Sequence, residues 1–187
     1  LNDLGITFPP PKIDLDKIRI WKNTIIKNLN NGISQLAKVR NINVIIGEAT
    51  FLSDHQLIIK HKNEQNTITF DHCIIASGSK PTTIPNIPNN HPNIINSKGA
   101  LELKDIPNNM LIIGGGYIGL EMGSVFNAMG SNITIVEFMD YLLPGADKDL
   151  VAPLQKKLNK NFKNILTSTK VTKIESINDS LTVHLKN

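Results

Sequence analysis

The sequence predicts an α/β protein in two parts, the second built on a doubly wound parallel sheet. Three observations carry this. Residues 110–123, "MLIIGGGYIGLEMG", place three consecutive glycines and then a fourth directly after an apolar run. Short runs with the two-residue period of strands fill the stretch from Asn43 to Gly78, after a long helical pattern. Residues 81–93, "PTTIPNIPNNHPN", hold four prolines and four asparagines and divide the two parts.

Taken in order, residues 9–11, "PPP", make a stiff, non-helical entry. Ile18, Trp21, Ile25, Leu29, Ile33 and Leu36 then recur at spacings of three and four. They predict one amphipathic helix, capped by Asp14 or Asp16 and weakened at Gly32. "VIIGEATF", "HQLIIK", "TITF" and "HCIIASG" read as strands separated by polar turns such as "HKNEQN". The expected parts are residues 1–80, a crossing segment at 81–97, and residues 98–187. In the last part "MLII" predicts a buried strand, "YIGLEMGSVFNAMG" a helix ending at Gly130, and "NITIVE" a second buried strand. Strand, turn, helix, strand is the right-handed crossover of a parallel sheet. A further helix is expected from Lys148 to Leu158, kinked or started late because of Pro153. "NILTST" and two alternating strands, "KVTKIESI" and "SLTVHLK", follow.

Composition limits the function classes. With 187 residues and 40% apolar content the chain can build a core. Its 20 basic and 16 acidic residues give +4, without the basic runs of a nucleic-acid binder. Apolar runs are short and no signal-peptide order appears, so the expected location is cytoplasmic, with no membrane partner. One cysteine, Cys73, excludes an internal disulfide and reads as a buried structural residue. The five histidines lack metal-ligand spacing, so no metal is expected. Asp147 and Asp149 precede a helix and read as caps, and Trp21 as a packing residue. The start at Leu1 without methionine and the stop after a strand-like run suggest a fragment.

Glycine loses more backbone entropy on folding than any other residue, so the cluster needs a compensating role. Gly114, Gly116 and Gly119 fit G-x-G-x-x-G between strand and helix, a Rossmann-like arrangement. The first glycine permits a tight turn, the second lets backbone approach a pyrophosphate, and the third lets helix pack close to strand. The phosphate would lie at the positive helix terminus. Glu137 ends the second strand eighteen residues after Gly119, where a carboxylate accepts hydrogen bonds from ribose hydroxyls. A 2′-phosphate would meet that carboxylate unfavourably, and the next basic residue, Lys148, is eleven positions on. NAD is therefore favoured over NADP. The alternative is that the glycines only permit tight packing in some other α/β protein.

The chain also resembles the FAD-dependent pyridine nucleotide-disulfide oxidoreductases along essentially its whole length. The similar segments, in the family's order, are "DLDKIRIWKNTIIKNLNNGISQLAK", "FDHCIIASGSKPTTIPNIP", "ALELKDIPNNMLIIGGGYIGLEMGSVFNAMGSNITIVE" and "LLPGADKD". The resemblance implies the later part of an FAD domain followed by an NAD domain, within a homodimeric enzyme. The implied reaction oxidises dihydrolipoamide on a lipoyl domain of a 2-oxo acid dehydrogenase complex, through a redox disulfide and FAD, with hydride passed to NAD⁺. It assigns Gly114, Gly115, Gly116, Gly119 and Glu137 to NAD, places Ile118 and Glu121 beside the nicotinamide, and Val171 by the adenine. Tyr117 departs toward the aromatic gate of glutathione reductase, which leaves open another disulfide substrate. Ala76, Ser77 and Gly78 match the family's A-T-G turn for FAD, with serine for threonine. "GEATF" matches G-x-G-x-F with Ala49 in place of the second glycine. The family's first glycine turn, redox cysteine pair and proton-handling His-Glu pair have no counterpart here, so this chain alone is expected to be inactive. A nucleotide-binding module without chemistry and a partly folded remnant are the alternatives.

Overall fold

Whether an apolar run becomes a strand depends on what lies beside it, and the two halves of this chain differ sharply in that respect. The computed structural model describes residues 5, 8, 9, 11–85, 87, 88, 91–177 and 180–187. Two compact units emerge: Ile20–Lys80, and residues 1–19 with 81–187.

Helix α1, Leu15–Val39, begins in the second of these and continues into the first. Asp14 caps it, its Oδ1 accepting from the Lys17 amide at 3.1 Å. Leu15 and Ile18 pack on the core of the larger unit, and Arg19 donates to the carbonyls of Leu103 and Lys104 at 2.9 Å each. Further along, the predicted apolar stripe is real but uncovered: Trp21 is 68% exposed and Leu29 65%. The expectation of Trp21 as a packing residue is therefore corrected, because amphipathic spacing forms a face without supplying its cover.

In the smaller unit β1 (Glu48–Ser53), β2 (Gln56–His61) and β3 (Glu64–Thr69) form an antiparallel meander in that order. Leu57 sits opposite Phe51 on one side and Ile68 on the other, so one face is apolar. None of the described residues from 20 to 80 is buried. "HCIIASG", read as a strand, joins no sheet, and Ile74 is 91% exposed. A strand exists only with a hydrogen-bonded neighbour, and among the described residues this run has none. For the same reason Cys73 is exposed, against the buried reading. Described residues of 81–96 form neither helix nor strand; Pro10 and Asn86, Asn89 and Asn90 of the two proline-rich stretches lie outside the described residues.

The larger unit is built on a parallel sheet. A short helix α2, Ser97–Glu102, which periodicity alone did not suggest, is capped by Asn96 and ends at Leu103 with φ +50°. β4 (Asn109–Ile113), α3 (Tyr117–Ala128) and β5 (Asn132–Val136) follow, with β4 and β5 parallel from Asn109↔Asn132 to Ile113↔Val136. α3 stops two residues short of Gly130. α4, Lys148–Asn161, leads to β6, Asn164–Leu166, parallel to β5. Pro153 lies inside α4 and the helix still starts at Lys148, so no late start occurs. Asp147 makes no side-chain cap; Asp149 Oδ1 accepts from the Leu150 amide instead. β7 (Lys170–Ile177) and β8 (Ser180–Lys186) pair as an antiparallel hairpin.

β5 is central to the sheet, so Ile133 and Ile135 are fully buried. They share a core with Leu120, Phe126, Leu142, Val151, Leu158 and Phe162. Each such side chain contributes about 1.5–3 kcal/mol over its exposed state.

Candidate functional site

The site forms where β4 runs out. Gly114 adopts φ +105°, open only to glycine at low cost, and its amide still donates to Val136 O at 2.8 Å. The next residue is held on both sides, through the peptide before it and the peptide after it. Gly115 N–H donates to Glu137 Oε2 at 2.6 Å, and Gly115 O accepts from Leu143 N–H at 2.9 Å. A Cβ at Gly115 would lie 2.5 Å from Leu142 Cδ2 and 3.2 Å from Glu137 Cβ, so no larger residue fits. Gly116 is the N-cap of α3, with φ −76° and ψ 175° and no side-chain cap. A Cβ there would meet nothing within 4 Å, whereas one at Gly119 would stand 2.3 Å from Gly114 O and 3.2 Å from Ile112 Cγ2. One glycine thus turns the chain, one lets α3 lie against the strand, and Gly116 faces open space.

The first amides of a helix have no intrahelical partner, and the N-cap Gly116 supplies no side chain to them. A helix start of this kind is the ordinary place for an anion such as a phosphate. Glu137 completes the arrangement from the end of β5, buried at 7% exposure. Its Oε2 is bonded to Gly115 and its Oε1 accepts from Met139 N–H at 2.7 Å. A carboxylate offers about four lone-pair positions, so two remain for further donors. Backbone bonds fix the residue as well: Glu137 N–H donates to Leu166 O at 2.8 Å, and its carbonyl accepts from Thr169 N–H at 2.9 Å.

Lys148, the next basic residue along the chain, is drawn to Asp140 Oδ2 at 3.5 Å and lies 4.5 Å over the Tyr141 ring. Tyr117, Ile118 and Glu121 are exposed on the first two turns of α3, Tyr117 at 68%. Val171 is half-buried in β7, two residues beyond Thr169. Ala49 lies in β1 opposite Ile59; Ala76, Ser77 and Gly78 are exposed and belong to no element, Gly78 with φ +72°. Among the described residues no cluster of acids, histidines and cysteines could hold a metal ion, and no helix is long and apolar enough to cross a membrane.

Residue-by-residue reading missed the segment after β5. Leu142 is fully buried against Gly115, and Leu143, at φ +53°, bonds it. Only the unbroken "LL" before "PG" hinted at it, and two adjacent leucines match no strand or helix period.

A parallel strand, a glycine turn opening a helix, and a carboxylate at the end of the adjoining strand define a dinucleotide-binding α/β unit. The chain belongs to the pyridine nucleotide-disulphide oxidoreductase family, whose pattern matches residues 6–187. Dihydrolipoyl dehydrogenase of Vibrio parahaemolyticus is 40% identical over 186 residues, which is 100% of this chain and 39% of that protein. The enzyme of the same name from Buchnera aphidicola subsp. Schizaphis graminum is 44% identical over 180 residues, 96% of this chain and 38% of its own length. The chain thus spans about two-fifths of the curated relatives it matches. Among solved structures, the Cu(II) complex of the HOCl-induced flavoprotein disulfide reductase RclA from Escherichia coli superposes with TM-score 0.79 at 31% identity, over 90% of this chain and 38% of that one. LpdA from Mycobacterium tuberculosis reaches 0.85 at 18% identity, over 98% and 41%, a likeness of fold alone.

Proposed function

We propose that the chain is a section of a dihydrolipoyl dehydrogenase and that its own contribution is to bind NAD. The observation that carries the reading is the glycine turn with an uncapped α3 on one side and the buried Glu137 carboxylate on the other. In this reading Gly114, Gly115, Gly116 and Gly119 shape the turn, and amides at the start of α3 hold the pyrophosphate. Glu137 accepts from the adenine-ribose hydroxyls with its two remaining lone-pair positions. Ile118 and Glu121 lie toward the nicotinamide, Tyr117 at its entrance, and Val171 toward the adenine. Lys148, the next basic residue along the chain, is paired with Asp140 and not with Glu137, which supports NAD over NADP.

The whole enzyme, in the same reading, is a cytoplasmic homodimer that takes dihydrolipoamide from a lipoyl domain of a 2-oxo acid dehydrogenase complex. FAD, when bound, relays electrons between a redox dithiol and the nicotinamide, with Ala49, Ala76, Ser77 and Gly78 beside it. This chain has one cysteine, hence no dithiol, and supplies no turnover by itself. An appreciable lipoamide-dependent NADH rate from the purified chain would overturn that statement. The exposed Tyr117 favours a second reading, another disulfide reductase of the same family.

The test is a fluorescence titration of the chain with NADH, repeated with NADPH. Saturable binding that favours NADH is expected; equal binding of both would refute the role of Glu137, and binding of neither would refute the site.

A further inference from the structure

We infer that the Leu142–Leu143 dipeptide is a latch that sets the direction of the Gly116 amide, and through it the strength of dinucleotide binding; the second half rests on the NAD reading above. In a trans peptide the carbonyl of one residue and the N–H of the next point in opposite directions. Leu143 N–H holds the Gly115 carbonyl at 2.9 Å, so it turns the Gly116 N–H the other way, out of the loop. Leu142 closes the same peptide sterically. It is fully buried, and its Cδ2 stands where a Cβ on Gly115 would be 2.5 Å away, so the glycine backbone has no slack on that side.

The latch is built at a cost. Leu143 sits at φ +53°, a left-handed conformation that a γ-branched residue keeps only when its surroundings enforce it. They do. Ala146 N–H bonds the Leu143 carbonyl at 2.9 Å, Met139 N–H bonds Glu137, and Met139 O accepts from Ser168 N–H at 2.8 Å. A segment without helix or strand is thus closed on itself at Leu143 and Ala146 and anchored at Met139 to Glu137 and Ser168, and its product is one oriented peptide in the glycine turn. Leu142 and Leu143 are positioning residues: they touch the turn rather than the nucleotide.

The experiment compares four variants of the 187-residue chain by the backbone amide resonance of Gly116 without nucleotide, by NADH titration, and by thermal unfolding. Leu142→Ala shifts the Gly116 resonance and weakens NADH binding about tenfold, the scale of one hydrogen bond lost in a complex. Leu142→Met, which conserves volume, restores both. Leu158→Ala, an equally buried truncation in α4, lowers the unfolding temperature and moves neither. Leu142→Val answers the same question where Leu142→Ala does not fold. An unmoved Gly116 resonance and unchanged NADH affinity in a folded Leu142 truncation overturn the latch, as does an equal response to Leu158→Ala. Absence of NADH binding in the unmodified chain overturns the NAD reading instead, and the Gly116 resonance still decides whether the latch exists.

Discussion

Replacing Gly116 and Gly119 by alanine, one at a time, separates what the glycine turn does for folding from what it does for binding. At Gly116 the backbone angles, φ −76° and ψ 175°, suit any residue, and the added methyl meets nothing within 4 Å. Reduced freedom of the unfolded chain favours alanine by about 0.4–1 kcal/mol, while its poorer performance at an N-cap opposes this by a few tenths to about 1 kcal/mol. The two nearly cancel, so Gly116→Ala leaves the unfolding temperature within about 3 °C of the unmodified chain, at roughly 2–4 °C per kcal/mol for this size. At Gly119 the methyl is driven to 2.3 Å from the Gly114 carbonyl oxygen, a backbone atom that cannot swing aside. Overpacking of that kind costs about 1–3 kcal/mol, a fall of roughly 2–12 °C. NADH affinity distinguishes them in the other direction. Gly116→Ala fills the space taken by the pyrophosphate and lowers affinity by more than about tenfold in a chain as stable as before. Circular dichroism melts and fluorescence titrations on the two variants measure both quantities. Gly116→Ala with unchanged stability and unchanged NADH affinity would refute the assignment of that open space to the nucleotide.

Glu137→Ala leaves the buried Gly115 amide without an acceptor, costing about 1–3 kcal/mol, frees the part-buried Met139 amide, and abolishes any preference for NADH over NADPH. Retained preference in a folded variant would assign the discrimination elsewhere. In the β7–β8 hairpin, hydrogen bonds from Lys173 and then His184 hold the Glu175 carboxyl below the usual carboxylate range. A carboxyl with a lowered native pKa stabilises above its unfolded value, near 4.3, and loses that contribution as pH falls through the lowered one. Glu175→Gln therefore flattens the acid limb of a melting-temperature profile slightly, the pair being exposed; an unchanged limb would deny the contribution. Trp21, the only tryptophan, should emit like indole in water and be fully accessible to acrylamide. A blue-shifted, protected emission would mean that the α1 stripe is covered.

How much of this was visible in the residue string follows the range of the forces involved. β4, α3 and β5 were legible because an apolar run, a glycine turn and a helical period each leave a local pattern, and each patterned element lies beside the next; only β5 is buried as expected, since β4 stands at the edge of the sheet and is at most half-buried. Asp14 could be read as a cap for the same reason, since its partner, the Lys17 amide, is three residues away. "HCIIASG" and Trp21 were misread because strand formation and burial belong to the partner as much as to the residue, and a run of isoleucines carries no record of its neighbour. The Leu142–Leu143 contact with Gly115 was hidden differently. It joins an irregular segment to a turn, so no period announces it, and its effect on Gly116 passes through peptide geometry that a string of letters does not display. Gly115 is a free position of the G-x-G-x-x-G pattern and joins the turn only through the family resemblance, but its reason is steric and comes from Leu142.

The bonds from Arg19 to the carbonyls of Leu103 and Lys104 impose an order of events on synthesis. The partners are 84 and 85 residues apart, and the whole meander lies between them. At about 5–20 residues per second the first turn of α1 waits roughly 4–17 s after its own translation before its docking place exists. During that interval Leu15 and Ile18 have no core to enter, while β1, β2 and β3, whose pairings are local, have already been made. The meander can close before the start of α1 docks, so that a ribosome pausing between residues 80 and 104 would lengthen the exposure of that helix start without delaying the strands.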